Sequence, residues 1–179
     1  MAEEKKEPWL NYLALTTVVF AVCATLSTLK GGGFSTRSVI SQAQASDQWS
    51  YYQAKSIKGY IYDLQRDKLE LELKMIRTTA SSSMVKDYEG KIGAYEEKTE
   101  KYEQEKEDIR KKAEELENRR DEAQTHAGAF GMAAMFLQIA ILLSSIAALM
   151  KKKYFWFIGI GAGCFGIIYF LNGFFLFMK

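Results

Sequence analysis

The sequence predicts an all-α integral membrane protein with three transmembrane helices and a long antiparallel, coiled-coil-like helical hairpin between the first and the second. Three segments without charged residues, 9–29, 127–150 and 154–178, each exceed the roughly 20 residues that a helix needs to cross about 30 Å of hydrocarbon. The charged residues, 26% of the chain, lie almost entirely in residues 30–126 and at the segment ends. Heptad spacing within that charged segment indicates a coiled coil.

The first apolar segment, residues 9–29, has two interpretations. Two lysines precede an apolar core, and Val22-Cys23-Ala24 resembles a small-residue cleavage site, as in a secretory signal peptide. The apolar run is longer than a usual signal core, and Trp9 lies where an interfacial anchor of a permanent helix would lie. We therefore expect the first transmembrane helix here.

Residues 30–126 predict the hairpin, with its tip at about 78–93. Gly31-Gly32-Gly33 predicts a hinge after the first span, and Ser35 or Thr36 is the expected N-cap of the first arm. Apolar or small residues spaced by threes and fours predict one buried stripe along that arm: Ile40, Ala43, Ala54, Ile57, Ile61, Leu64, Leu71 and Met75.

The tip and the second arm are predicted from composition. Residues 78–83 are poor helix formers, and Gly90 and Gly93 weaken the helix signal up to Ala94, where it becomes strong. A heptad repeat has two core positions, and apolar or aromatic residues occupy one of them in the second arm, at Tyr88, Tyr95, Tyr102, Ile109, Leu116 and Ala123. The other position is weak, at Ile92, Thr99, Lys106, Ala113 and Arg120.

The hairpin carries more apolar and aromatic surface than one partner helix covers. Two arms of roughly 40 residues would each be about 60 Å long. We therefore expect hairpins from several copies to pack together. In the alternative, the tyrosines are half-exposed on a two-helix coil with their hydroxyls in water. The candidate hairpin interface comprises Trp49, Tyr52, Ile57, Ile61, Leu64, Leu71, Tyr95, Tyr102, Ile109 and Leu116.

The second and third spans, 127–150 and 154–178, contain small and polar residues suited to helix contacts. Small residues allow close approach of membrane helices, and polar ones hydrogen-bond between helices or line a neutral pore. The candidates for membrane-helix packing are Gly128, Gly131, Gly159, Gly163 and Gly166. The candidate polar span residues are Gln138, Ser144, Ser145 and Asn172.

Orientation is predicted from the positive charge of the short flanks, which stays in the cytoplasm. Lys151-Lys152-Lys153, the predicted loop 151–153, is the strongest determinant, and Lys5-Lys6 in the segment 1–8 agrees with it. Two crossings separate these flanks. We therefore expect residues 1–8 and 151–153 in the cytoplasm, and the hairpin and Lys179 outside it.

Few residues could support chemistry. His126 is the only histidine, and Cys23 and Cys164 fall near mid-membrane, where neither a disulfide nor a metal site is expected. Basic and acidic residues alternate along the hairpin, which argues against nucleic-acid binding. We expect no catalytic activity, no cofactor and no metal.

Two long stretches suggest a family: ASDQWSYYQAKSIKGYIYDLQRD at 45–67 and LQIAILLSSIAALMKKKYFWF at 137–157. Through them the chain resembles the membrane proteins of the domain of unknown function 4337 family, over essentially its whole length. The resemblance implies a bacterial inner-membrane protein with the same three-span plan. It implies no established activity and no catalytic residues.

Three functions are compatible with these features. The leading hypothesis is a homo-oligomeric scaffold or interaction protein in the lipid bilayer, with an unknown protein partner engaged along the hairpin. The second is an oligomeric pore or channel for ions or small neutral solutes. The third is an envelope sensor or regulator.

Overall fold

Three helices and no strand make up the part of the chain that the computed structural model describes, residues 8–178. They are α1 (Trp9–Ile76), α2 (Ser82–Met150) and α3 (Lys153–Phe175). Each contains a segment long and apolar enough to cross a membrane. The predicted cytoplasmic segment before Pro8, with Lys5 and Lys6, and the terminal Lys179 lie outside the described residues.

Helix α1 continues through its triple glycine without a break, so the expected hinge and the expected N-cap are both wrong. Thr36 lies within the helix, and its Oγ1 donates to the Gly32 carbonyl at 3.0 Å. A glycine costs a helix only about 1 kcal/mol relative to alanine, and cooperative helix on both sides outweighs this cost.

The connection between α1 and α2 is shorter than the tip predicted at 78–93, because only residues 77–81 are non-helical. The backbone amides of Thr79 and Ala80 both donate to the Ile76 carbonyl. The Ser81 hydroxyl accepts from the Met84 amide at 3.4 Å, as an N-cap does. With that start in place, α2 tolerates Gly90 and Gly93 in its interior.

The described residues divide into two compact units. We call residues 8–40 together with 119–178 the bundle unit, and residues 41–118 the helix-pair unit. In the bundle unit, α3 packs against the first part of α1 and the last part of α2. Its two buried clusters are Phe20, Ala24, Leu137 and Ala140, and Trp9, Leu13 and Ala147.

In the helix-pair unit, the second part of α1 contacts the first part of α2. Three side-chain pairs give the order of these contacts: Glu72 with Tyr88, Lys55 with Glu105, and Trp49 with Glu117. Because residue numbers fall along α1 as they rise along α2, the two segments run antiparallel.

Candidate interaction surfaces

The face of α1 that packs in the helix-pair unit is small, aromatic and charged. Its side chains are spaced by threes and fours, as in a coiled coil, and all are buried or half-buried. Few of them are aliphatic, and the aliphatic ones concentrate near the tip. They are Ser41, Ala45, Gln48, Tyr52, Lys55, Gly59, Tyr62, Arg66, Leu69, Leu73 and Ile76.

The opposing face of α2 is the heptad that the sequence predicts. Tyr95, Tyr102 and Leu116 are half-buried, and Ile109 is buried. The weaker positions, including Ala113 and Lys106, are buried as well. These four of the candidate interface residues therefore face α1 within one chain.

Stacked tyrosine rings and lysine side chains connect α1 and α2 in the middle of the helix-pair unit, at the seam between their two facing sides. The rings of Tyr62 and Tyr102 stack with centroids 5.6 Å apart. Lys55 Nζ lies 5.1 Å from the Tyr102 centroid, and Lys98 Nζ lies 4.9 Å from that of Tyr62. A Cβ added at Gly59 would lie 3.6 Å from Tyr102 Cβ. Cation–π attraction thus joins the two helices where aliphatic packing is sparse.

Lys106 is the most buried cation of the seam, with 8% of its surface exposed. Its Nζ donates to the Glu103 carboxylate at 2.7 Å and lies 5.6 and 5.8 Å from the ring centroids of Tyr52 and Tyr60. A buried ammonium is tolerated only when it is paired. The hydrogen bond to Glu103 raises the pKa of Lys106, which therefore stays charged.

Trp49 lies near the end of the seam that is farther from the tip. Its Nε1–H donates to Glu117 Oε1 at 2.9 Å, and its ring meets the Tyr52 ring at 5.6 Å in an edge-to-face arrangement. The indole thereby keeps its polar atom satisfied while its ring is half-buried. Trp49 and Tyr52 are thus engaged inside the chain.

The salt bridge between Lys55 and Glu105 predicts an acid-sensitive contribution to stability. The hydrogen bond from Lys55 lowers the pKa of Glu105 and raises that of Lys55. A carboxyl with a lowered folded-state pKa stabilises the fold fully above its unfolded pKa, roughly 4.3. This stabilisation is lost as the pH falls through the lowered folded-state value. Glu105→Gln is expected to lower the thermal unfolding midpoint at pH 7 and to reduce its further fall in acid.

Circular dichroism melts at pH 7 and at about pH 3 measure this difference. Glu100→Gln is the matched control, because Glu100 is an exposed glutamate of the same helix. Equal pH dependence of Glu105→Gln and the wild-type chain would contradict the assignment.

A second stripe on α1 faces away from α2. We call Ile57, Ile61, Leu64, Leu71 and Met75 the outer stripe. Each has between 51% and 68% of its surface exposed. The prediction that they form the buried face of the hairpin is therefore wrong for the single chain, and the remaining members, Ile40, Ala43 and Ala54, are exposed too. Both faces of α1 have heptad spacing, and the aromatic and lysine-rich one packs against α2.

Three of the five candidate glycines place α3 in the bundle unit. A Cβ at Gly159 would lie 3.2 Å from the Ala140 carbonyl oxygen, one at Gly163 would overlap the Phe20 ring, and one at Gly166 would overlap Leu137. The other two, Gly128 and Gly131 of α2, are exposed, with nothing within 4 Å of an added Cβ. Neither therefore contacts a neighbouring helix at the position of an added side chain, although the Gly131 backbone nitrogen lies 3.9 Å from a Cβ added at Gly31 of α1.

Two further close approaches, at Gly31 and Gly173, were not predicted from the sequence. Both glycines meet Phe130, which is fully buried. His126 lies beside them: its Nδ1–H donates to the Gly173 carbonyl at 2.8 Å, and its ring stacks on Phe34 at 4.5 Å. No sequence signal indicated these contacts, because Phe130 is distant from both glycines along the chain.

The four polar span residues do not share one surface. Ser144 is fully buried, with its Oγ 3.5 Å from a Cβ added at Gly159, and Ser145 Oγ donates to the Ile141 carbonyl. Asn172 is buried and bonds both the amide and the carbonyl of Met178, closing the C-terminal end of α3. Gln138 lies on α2 with its side chain exposed.

One family model, described as Domain of unknown function (DUF4337), matches residues 9–176. The chain belongs to this family. The match includes all three helices, so the helix-pair unit and the bundle unit are both parts of the DUF4337 domain. No curated protein and no solved structure matches the chain.

Proposed function

We propose that this DUF4337 protein is a homo-oligomeric membrane scaffold, or protein-interaction component, without catalytic activity. The observation that carries the proposal is the outer stripe of α1, a heptad seam that the chain's own second helix leaves exposed. The stripe marks an interface between copies. His126, the only histidine, is engaged with Gly173 in the packing of the bundle unit, which accords with a structural role.

Membrane insertion is the first part of this proposal. Three helices have apolar segments of spanning length, and a spanning helix satisfies its own backbone groups in lipid. The positive charge of Lys151-Lys152-Lys153 assigns the α2–α3 connection to the cytoplasm. The helix-pair unit and the C-terminus then lie on the other side of a bacterial inner membrane.

The outer stripe has the spacing of an interface. Residues 57, 61, 64, 71 and 75 follow a repeat of fours and threes, with Lys68 at the intervening position. Full burial of one such side chain stabilises by about 1.5–3 kcal/mol relative to exposure. Five of them on one face of one helix, interrupted at Lys68, form an exposed apolar surface of the kind that marks interaction sites.

A second copy is the occupant that best fits this stripe. Copies in one membrane share an orientation, so parallel α1 helices bring each outer stripe against the same residues of its neighbour. Such a seam is self-complementary for apolar side chains. Lys68 pairs with Glu72 of its own helix at 3.9 Å and is largely exposed, and a single charged seam position fixes register at some cost in stability.

The bundle unit offers a second contact of the same kind. Gln138 is an exposed amide in the middle of the apolar part of α2. Within lipid, amide side chains hydrogen-bond across helices, contributing about 1 kcal/mol. A neighbouring copy supplies a partner for it.

Cysteine crosslinking tests the proposal. The native thiols are removed by Cys23→Ala and Cys164→Ala, and Leu64→Cys is introduced into the outer stripe. Oxidation in native membranes is expected to yield a disulfide-linked dimer, because the same residue meets itself across a parallel seam. Glu100→Cys, an exposed position of α2, is the matched control and is expected to crosslink weakly.

If Leu64→Cys crosslinks to a different protein and forms no dimer, the outer stripe binds that protein and not a second copy of the chain. Absence of any crosslink at Leu64→Cys would contradict the interface.

A further inference from the structure

Helix α2 has two opposite heptad faces in the bundle unit. One packs against α1 and α3 and consists of side chains with no exposed surface: Phe130, Ala133, Leu137, Ala140, Ser144 and Ala147. The other lies on the far side of the helix, since 3.6 residues complete a turn, and all of its residues are exposed. We call it the spanning stripe: Gly131, Met135, Gln138, Leu142, Ser145 and Leu149.

The composition of the spanning stripe differs from that of the surface beside it. Glycine, glutamine and serine occupy one of its two core positions, and methionine or leucine occupies the other. The exposed side chains on the adjacent side of α2 are apolar and bulky: Met132, Ile139 and Ile146. Small residues and amides concentrate where membrane helices contact one another. The stripe therefore has the composition of a helix-contact face.

Gln138 lies in the middle of the spanning stripe, and its side-chain amide has no hydrogen-bond partner among the described residues. It is about 17 Å along α2 from either end of the apolar segment 127–150, farther than its side chain reaches. The hydroxyls of Thr17, Thr25 and Ser145, by contrast, donate to carbonyls of their own helices. Because an unpaired amide in hydrocarbon is costly, Gln138 requires a partner from outside the chain.

We propose that the spanning stripe binds the same stripe of a second copy, with Gln138 hydrogen-bonded to Gln138 of that copy. An amide both donates and accepts, so it is complementary to itself. Copies in one membrane share an orientation, so the two α2 helices run parallel and each residue of the stripe meets its counterpart. The inference rests on the membrane insertion and the association of copies proposed above, and assigns the contact that copies make within the membrane.

The neighbours of Gln138 suit this contact. A Cβ added at Gly131 would have nothing within 4 Å, so the surface there is open to another helix, and a glycine lets two backbones approach closely. Met135 and Leu142 lie about one turn on either side of Gln138 and have 44% and 64% of their surface exposed. Their packing across the contact encloses the amide pair in apolar surroundings, where a hydrogen bond is stronger than in water.

Cysteine crosslinking of the purified full-length protein in phosphatidylcholine vesicles tests the contact. The native thiols are removed by Cys23→Ala and Cys164→Ala, and Met135→Cys is introduced into the spanning stripe. Oxidation is expected to yield a disulfide-linked dimer, because residue 135 meets itself across a parallel contact. Met132→Cys is the matched control, since it replaces the same residue type on the adjacent exposed side of α2, and is expected to crosslink weakly. Equal yields at the two positions would overturn the proposal.

Gln138→Leu, combined with Met135→Cys, measures the contribution of the amide. Leucine suits both the helix and the lipid, so the variant is expected to insert and to fold. Loss of the hydrogen bond between copies is expected to raise the protein-to-lipid ratio that gives half-maximal crosslinking by about fivefold. Gln138→Asn keeps an amide and is expected to retain most of the association. An unchanged ratio in Gln138→Leu would overturn the hydrogen-bonded pair.

Leu64→Cys in a parallel preparation separates this inference from the proposed function. If Leu64→Cys forms dimers and Met135→Cys forms no more than Met132→Cys, copies associate through the outer stripe, the spanning stripe faces lipid, and the inference is overturned alone. If neither Leu64→Cys nor Met135→Cys forms dimers, the proposed association of copies is refuted as well. Dimers at Met135→Cys without dimers at Leu64→Cys would support the spanning stripe and refute the outer stripe.

Discussion

Replacing Ile61 and Leu64 together by aspartate is expected to convert the proposed oligomer into single chains. Both residues are exposed in the single chain, so the change costs the monomer little. In the proposed interface the same change removes burial of the exposed parts of both side chains, 51% of Ile61 and 68% of Leu64, worth about 2–4 kcal/mol per copy, and places like charges opposite one another. Association is expected to weaken at least about 100-fold. Size-exclusion chromatography with light scattering, in a mild detergent, measures the result.

A matched control distinguishes loss of the interface from a general effect of added surface charge. Gln104→Asp with Asn118→Asp adds the same two negative charges at exposed positions of α2 in the same unit. This pair is expected to leave the oligomer intact. If the Ile61 and Leu64 double variant also keeps the wild-type mass while melting at the wild-type temperature, the outer stripe is not the contact between copies.

Gly163→Val is expected to produce the largest loss of stability in the bundle unit. A Cβ at this position overlaps the Phe20 ring, which is itself buried in the core of the unit. Overpacking of this kind typically costs about 1–3 kcal/mol and occasionally more. Helices α1 and α3 must then separate or Phe20 must leave its site. Thermal unfolding in detergent, followed by circular dichroism, reports the loss.

Gly161→Val supplies the comparison. It lies two residues away on α3, is exposed, and has nothing within 4 Å of an added Cβ. Both substitutions place the same β-branched side chain in the same helix, so their effects on helix propensity are equal. The difference between their unfolding temperatures therefore reports only the packing against Phe20. Similar unfolding temperatures for the two variants would show that α3 does not dock on Phe20 through Gly163.

The helix-pair seam was half predictable from the sequence. On α2, Tyr95, Tyr102, Ile109 and Leu116 follow one another every seven residues, and periodicity identified that face. On α1, the apolar period selected Ile57 and Ile61, whereas the packed face relies on stacked rings, ammonium groups and Gly59. Hydrophobic periodicity gives no weight to cation–π pairs or to close backbone approach, so it chose the exposed face instead.

Residue spacing also predicted only some of the glycine contacts. Spacing in α3 indicated Gly159, Gly163 and Gly166, all of which meet a neighbouring helix. Spacing could not reveal that Gly173 faces Phe130, because this contact depends on how α2 and α3 are rotated about their axes. The triple glycine of α1 was expected to break the helix, but local propensity is a weak determinant within a long cooperative helix.

We therefore propose different roles for two faces of α1. The polar and aromatic face of α1 joins α2 within the chain, and the outer stripe is left for a neighbouring copy. The charged pairs of the inner seam, such as Lys55 with Glu105, favour one partner and one register over others. An apolar outer stripe lacks that selectivity, and we propose that a shared orientation in the membrane supplies it.

Native mass spectrometry of the particle extracted from its native membrane, in polymer-bounded lipid discs, determines whether copies of the chain associate. We expect a particle mass that is a single defined multiple of the 20.4 kDa chain and that falls to one chain when Ile61 and Leu64 are replaced by aspartate. A wild-type particle that contains one chain and no other protein would contradict it.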